Sequence, residues 1–141
     1  MNAEKAKEFP EKEKTGEIIK AAFEVSNTLG CGFLEKVYEN ALALELKRRG
    51  LKVSQQVPIR VLYLGQTVGD YIMDMVVENA VLVEIKATEK DHPIYTAQTL
   101  NYLRATNLPV GLLINFGQPK LRYRRLVLSR KNQTDVDTNH S

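Results

Sequence analysis

Val110 to Phe116 is an almost wholly apolar run, the pattern of a strand buried on both faces, and no other feature constrains the chain more. Ahead of it, His92-Pro93 opens a helical stretch to about Thr106, with Asp91 a candidate cap and Pro93 near the first turn; Asn107-Leu108-Pro109 closes it. Ahead of that helix stands another strand, Val81 to Ala87. Strand, helix and buried strand in that order permit a crossover, so the chain reads as α/β, a mixed β-sheet flanked by helices. At 141 residues, 43% of them hydrophobic, there is apolar surface for one core and too little chain for two.

Two helices come first. From Thr15, Ile18, Ile19, Ala22, Phe23 and Leu29 fall near helical spacing, with Gly30 and Gly32 as the stop. Leu34, Val37, Tyr38, Ala41, Leu42 and Leu46 repeat the period and end in Lys47-Arg48-Arg49-Gly50, basic residues followed by a helix-ending glycine. The period then drops to 2 through Val53, Val57, Ile59 and Val61, turns at Leu64-Gly65-Gln66, and continues as Val68 to Val77. A tight turn at Glu78-Asn79-Ala80 joins that run to Val81, and Leu121 to Leu128 forms a last, basic strand. The order reads α-α-β-β-β-β-α-β-β. Residues 1–14 form a Glu/Lys-rich arm, 15–128 the domain, and 129–141 a polar tail expected to be disordered.

Composition excludes several classes of function. A lone cysteine, Cys31, rules out a disulfide framework and a thiolate zinc site, and two histidines leave little for a His-rich centre, so any metal is held by oxygen. No apolar run approaches the roughly 20 residues that cross a bilayer, and the N-terminal stretch lacks a basic segment followed by an apolar one. The expected location is cytoplasmic, with no membrane partner. The net charge is only +3, but acids are absent from Thr96 to Thr134, where Arg104, Lys120, Arg122, Arg124, Arg125, Arg130 and Lys131 lie. That basic half suits a polyanion; it equally suits a solvated strand edge guarded against aggregation.

The segment from Asp70 to Lys86 carries the chemistry. If Glu78 to Ala80 is a three-residue loop, Val77 pairs with Val81, Asp74 stands opposite Glu84, and Ile72 opposite Lys86. Alternation then gives one core face of Tyr71, Met73, Met75, Val77, Val81, Val83 and Ile85, and another with Asp70, Asp74, Glu84 and Lys86. Opposed carboxylates about 5 Å apart destabilise a sheet unless a cation or proton lies between them. Magnesium takes one or two carboxylates and keeps waters, which Asp74 and Glu84 offer, while Lys86 can orient a water and offset phosphate charge. An ordinary surface ion-pair patch is the competing reading, and Asp70 is a lesser rival to Asp74.

Asp74, Glu84 and Lys86 resemble the Asp…Glu-x-Lys signature of the PD-(D/E)XK nuclease superfamily. Gly32-Phe-Leu-Glu35-Lys-Val-Tyr38 resembles the signature that names its bacterial GxxExxY proteins, and Gln98-Thr-Leu-Asn-Tyr102 is similar to a helix motif of RecB-like nucleases. Leu103 to Thr106 and Gly111 to Gly117 also look like this family, so the resemblance spans about Thr15 to Leu128. It implies catalytic roles for Glu35, Asp74, Glu84 and Lys86, with Asp74, Glu84 and Glu35 at the metal, and Tyr38, Gln98, Tyr102 and Arg104 binding substrate or shaping the site. Tyr38 and Tyr102 serve as readily as core aromatics, Gln98 as a partner of buried backbone, and Glu35 as a solvated acid beside Glu39.

The function expected is Mg²⁺- or Mn²⁺-dependent hydrolysis of phosphodiesters, DNA before RNA, by an endonuclease-like enzyme without an evident base-reading module. The alternative is a nuclease-fold module that binds nucleic acid or protein without turnover. The chain is short for a nuclease that encloses its substrate, so a homodimer or a partner protein could complete the groove.

Overall fold

Ile18, Ile19, Ala21, Ala22 and Val25 form the buried stripe of α1, Lys12–Leu29, in the computed structural model, which describes residues 9–128 and 134–138. The helix begins inside the stretch read as an arm, of which residues 1–8 lie outside the described residues. It ends at Gly30, whose N–H bonds to Ser26 O at 2.9 Å. α2, Glu35–Arg48, buries Tyr38, Leu42, Ala43 and Leu46 and packs against α1 on one face of the sheet.

Three strands, not four, precede the third helix: β1 Val53–Tyr63, β2 Gln66–Val77 and β3 Val81–Lys86. β1 runs unbroken through Pro58 because it is an edge strand, where a missing N–H is tolerated. α3, Pro93–Thr106, leads to β4 Val110–Asn115, then β5 Arg122–Leu128 and β6 Thr134–Thr138. The sheet order is β1-β2-β3-β4-β5-β6, with β3 and β4 parallel across the α3 crossover and every other pair antiparallel. Thr134–Thr138 is therefore a strand, where composition suggested disorder: edge pairing needs only main-chain bonds, which a polar sequence supplies. Residues 129–133 and 139–141 lie outside the described residues.

Two apolar layers result. Met75, Val77, Val81, Val83, Ile85, Leu112 and Ile114 face α1 and α2, whereas Val76, Leu82, Leu113 and Leu126 face α3 with Leu100, Tyr102 and Leu103. β4 is buried along its whole length, as its composition requires.

The β1–β2 hairpin breaks the simple alternation. Val53 and Met75 pack with the α1–α2 layer, but Val57, Ile59 and Met73 belong to the α3 layer. The exchange falls at Gln56, whose φ is 54°, and at Asp74, both lying between the pairs Gln55↔Met75 and Val57↔Met73. A residue in the left-handed region turns the following strand over. The expected single face is thus wrong at Met73 and at Tyr71, which is 48% exposed and approaches the Tyr102 ring on α3.

Candidate active site

The loop before α2 positions Glu35. Tyr38 is fully buried, stacked on Phe116, and its hydroxyl donates to Gly30 O at 2.6 Å while accepting from Phe33 N at 3.1 Å. Between those anchors Gly32 adopts φ 116°, which a side chain would resist. The chain so held enters the helix at Glu35, where an acid complements the positive end of the helix dipole. Tyr38 therefore fixes the loop before α2 from within the core, and its hydroxyl is committed to this loop.

Val77 pairs with Val81 and Met75 with Val83, as the three-residue turn requires, with Glu78 and Asn79 at φ 55° and 54°. One step further the main-chain ladder stops, so Ile72 does not pair with Lys86. In its place the Glu84 carboxylate accepts from Asp74 N at 2.8 Å, and the Asp74 carboxylate accepts from Ile85 N at 2.8 Å. Two acids inserted between the strands substitute for the missing bonds. Lys86 follows on the same face, its Nζ 4.6 Å from the centroid of the Tyr95 ring.

The cluster is strained electrostatically. Glu84 is 4% exposed, and burial, with the charge of Asp74, pushes its carboxyl up to about 8, against the pull of the Asp74 N–H and Lys86. Burial also raises Asp74, with Glu39 adding to it and the Ile85 N–H and Lys86 opposing. Glu35, although at the exposed start of α2, is raised by desolvation first and then by Asp74 and Glu39, with Lys86 opposing. The Tyr102 hydroxyl is raised by burial, Glu84 and Asp74, while a bond from Gln98 opposes the shift. Glu35, Asp74, Glu84 and Lys86 thus lie within electrostatic reach of one another, with Gln98 and Tyr102 beside them.

Other expected residues stand apart. Asp70 lies out on the hairpin, with one carboxylate oxygen 3.9 Å from Arg60 Nε. Arg104 is exposed, bonds Asn101 at 2.9 Å, and lines a groove of about 960 Å³ between the hairpin and α3, together with Tyr71, Gln98 and Tyr102. Asp91 is not the cap of α3: His92 Nδ1 accepts from Ile94 N at 3.1 Å, because Asp91 is drawn to Asn115.

Two features escaped the sequence. Glu39 is 3% exposed, its carboxylate receiving Gln55 at 2.7 Å, Gln56 at 3.0 Å and Lys36 at 3.2 Å; its i+4 spacing from Glu35 was the available signal. Asn115, also 3% exposed, accepts from Thr88 N and Gly117 N and donates to Thr88 Oγ1 and Asp91 Oδ1, tying the loop after β3 to the end of β4. Both ends, at Lys86 and Asn115, are the carboxyl ends of parallel strands flanking a crossover, where open α/β sheets bind ligands.

A family model of the PD-(D/E)XK nuclease superfamily matches residues 12–126. The chain belongs to the PD-(D/E)XK nuclease superfamily. The match covers α1 through β5 up to Leu126, the whole framework that carries the clustered acids. Comparison with curated proteins and with solved structures gives no match. Nucleases of this superfamily typically use divalent metals and act on nucleic acid. Among the described residues no three His, Cys, Asp or Glu gather closely enough to hold an ion together, so Glu35 does not join Asp74 and Glu84 in a three-acid cluster; those two remain as acids tied to one another across the strands. That pair fits a hard cation: it is all oxygen, and its shared negative charge is what a cation offsets. Among the described residues no helix is long and apolar enough to cross a membrane.

Proposed function

We propose that this domain is a metal-dependent nuclease that hydrolyses phosphodiester bonds, of DNA before RNA, with Mg²⁺ or Mn²⁺. The observation that carries the reading is the exchange between Asp74 and Glu84, which fixes two carboxylates at one point with Lys86 beside them. Each carboxylate spends one oxygen on the other strand's main chain and keeps the second for a ligand. When bound, a divalent ion there polarises the phosphate and makes a hydroxide available near neutral pH.

Asp74 and Glu84 hold the ion, and Glu35, across from them on α2, contributes through a water or accepts a proton from one. Lys86, steadied over Tyr95, orients the attacking water and offsets charge that builds on the phosphate. Gln98 and Tyr102 bound the site on the α3 side. Gly32, Glu35 and Tyr38 favour a place among the GxxExxY proteins within the superfamily. The chain's size keeps a homodimer within the reading, which sedimentation equilibrium tests.

Linear, circular and single-stranded DNA, and RNA, incubated with Mg²⁺ or Mn²⁺ test the proposal. Cleavage by the wild type that is lost in Glu84→Ala and in Lys86→Ala supports it. Metal binding with no cleavage of any substrate would leave the non-catalytic binding module in its place.

A further inference from the structure

Beside Lys86, on the side away from Asp74, lies a second cavity of about 400 Å³. Its basic wall is Lys86 at the end of β3 and Arg122 and Arg124 on β5. Register explains why they share it: Lys86 is level with Asn115, Asn115 pairs with Arg122, and Leu113 pairs with Arg124. All therefore project from the α3 face of three adjacent strands. Asp91 and His92 complete the polar lining.

Among the described residues, internal pairing gives Arg122 one long ion pair, to Asp91, and leaves its Nε without a hydrogen bond. Arg122 Nε is buried, yet among the described residues no acceptor lies within hydrogen-bonding distance of it. The nearest carboxylate oxygen, Asp91 Oδ2, is 3.9 Å away, and the other oxygen of Asp91 is taken by Asn115 at 2.9 Å and approached by Gln118 at 3.5 Å. A buried cationic donor without an acceptor is costly, and the acceptor that suits a guanidinium best is a carboxylate or a phosphate. Counting Lys86, Arg122 and Arg124 against Asp91, cations outnumber anions in the lining, which favours an anionic occupant. The space equals that of about a dozen liquid waters, enough for a phosphate with its sugar.

We propose that this cavity is a phosphate-binding subsite, in which Arg122 and Arg124, backed by Lys86, hold a phosphate of the substrate strand adjacent to the one cut at Asp74 and Glu84. Assigning the occupant to nucleic acid rests on the nuclease reading; the affinity for phosphate does not. Lys86 faces both sites and so couples the grip on the neighbouring phosphate to its position over the scissile one.

The first test titrates inorganic phosphate into the metal-free wild-type protein and follows the Arg Nε–Hε signals by NMR. The Arg122 signal shifts saturably, and the shift persists in the cleavage-incompetent Glu84→Gln variant. The second measures binding of a single-stranded oligonucleotide to Glu84→Gln across a salt series. Arg124→Gln, which leaves the Arg122–Asp91 ion pair in place, weakens binding at least about tenfold and lowers the salt slope by about one. One methylphosphonate linkage, moved along the oligonucleotide, produces a comparable loss at one position and adds little in Arg124→Gln. An unmoved Arg122 signal at saturating phosphate overturns the subsite, whether or not the protein cleaves DNA. Phosphate binding without the oligonucleotide effects overturns its assignment to the substrate strand.

Discussion

The Glu84 carboxylate accepts the main-chain N–H of Asp74 at 2.8 Å, and Asp74 in turn accepts that of Ile85, also at 2.8 Å, so each acid is fastened to the other's strand. Removing one acid therefore removes a hydrogen bond that joins β2 to β3, besides removing a charge. The fold keeps two acids together where burial disfavours their charge, and the cost of doing so is measurable.

That cost is visible in the pH dependence of stability without metal. Folding buries the Glu84 carboxyl and raises it from the ordinary 4.5 to about 8. Below pH 4.5 both folded and unfolded states hold the proton; between 4.5 and 8 only the folded state does, so stability falls as pH rises through that window and levels above it. The raised Asp74 acts in the same direction. In chelator, urea unfolding of the wild type from pH 5 to pH 8.5 therefore shows a loss on the order of a few kcal/mol. Glu84→Gln removes most of that slope. An equal slope in both proteins would show that Glu84 does not carry it.

Divalent metal reverses the effect. An ion that binds the folded state alone stabilises it by about 2.7 kcal/mol at a free concentration 100 times its dissociation constant. Thermal unfolding in increasing Mn²⁺ or Mg²⁺ should shift upward for the wild type and return with chelator, whereas Asp74→Asn shows little shift. Equal shifts in both proteins would move the metal elsewhere.

Tyr38→Phe tests how the loop presents Glu35. The change leaves Gly30 O and Phe33 N without their shared partner while keeping the ring on Phe116. A loss of about 1–3 kcal/mol in stability follows. Because Glu35 begins the helix three residues before Tyr38, nuclease activity should fall more than the unfolded fraction accounts for. Activity that simply tracks the folded fraction would reduce Tyr38 to a core residue.

Much of this arrangement is legible in the sequence, for identifiable reasons. Val77↔Val81 follows from apolar residues flanking a three-residue turn, and one-residue slippage would bury the wrong set, so the nearness of Asp74 and Glu84 could be counted outward, although main-chain pairing ends at Met75↔Val83 and carboxylate bonds join the two beyond it. Gly30 and Gly50 mark helix ends because both adopt positive φ. The turnover of the β1–β2 hairpin was hidden because Gln56 carries no mark of a left-handed conformation, and strict alternation then misplaces Tyr71 and Met73. Glu39 was hidden because its partners Gln55 and Gln56 are 16 and 17 residues away, and burial of an acid depends on such distant donors.

Asn115 ties the end of β4 to the loop after β3 that lines the proposed phosphate subsite, and its removal should damage both. Its Oδ1 satisfies Thr88 N at 3.1 Å and Gly117 N at 2.9 Å, and its Nδ2 reaches Thr88 Oγ1 at 3.1 Å and Asp91 at 2.9 Å. Asn115→Ala strands two main-chain donors and frees Asp91, which at 3.9 Å is then able to close on Arg122. Stability should drop by about 2–4 kcal/mol from the orphaned donors. Arg122 held by Asp91 would no longer serve a phosphate, so oligonucleotide affinity falls in the remaining folded protein, and adding Asp91→Asn restores part of it. Gly117→Ala attacks the same crossing sterically, because a Cβ there would collide with the Ala87 and Thr88 main chain. Its effect on stability should be at least as large, but without the affinity loss that Asp91→Asn can repair. If Asp91→Asn rescues neither variant, the loop is only a brace; rescue of Asn115→Ala alone shows that Asn115 keeps Asp91 away from Arg122.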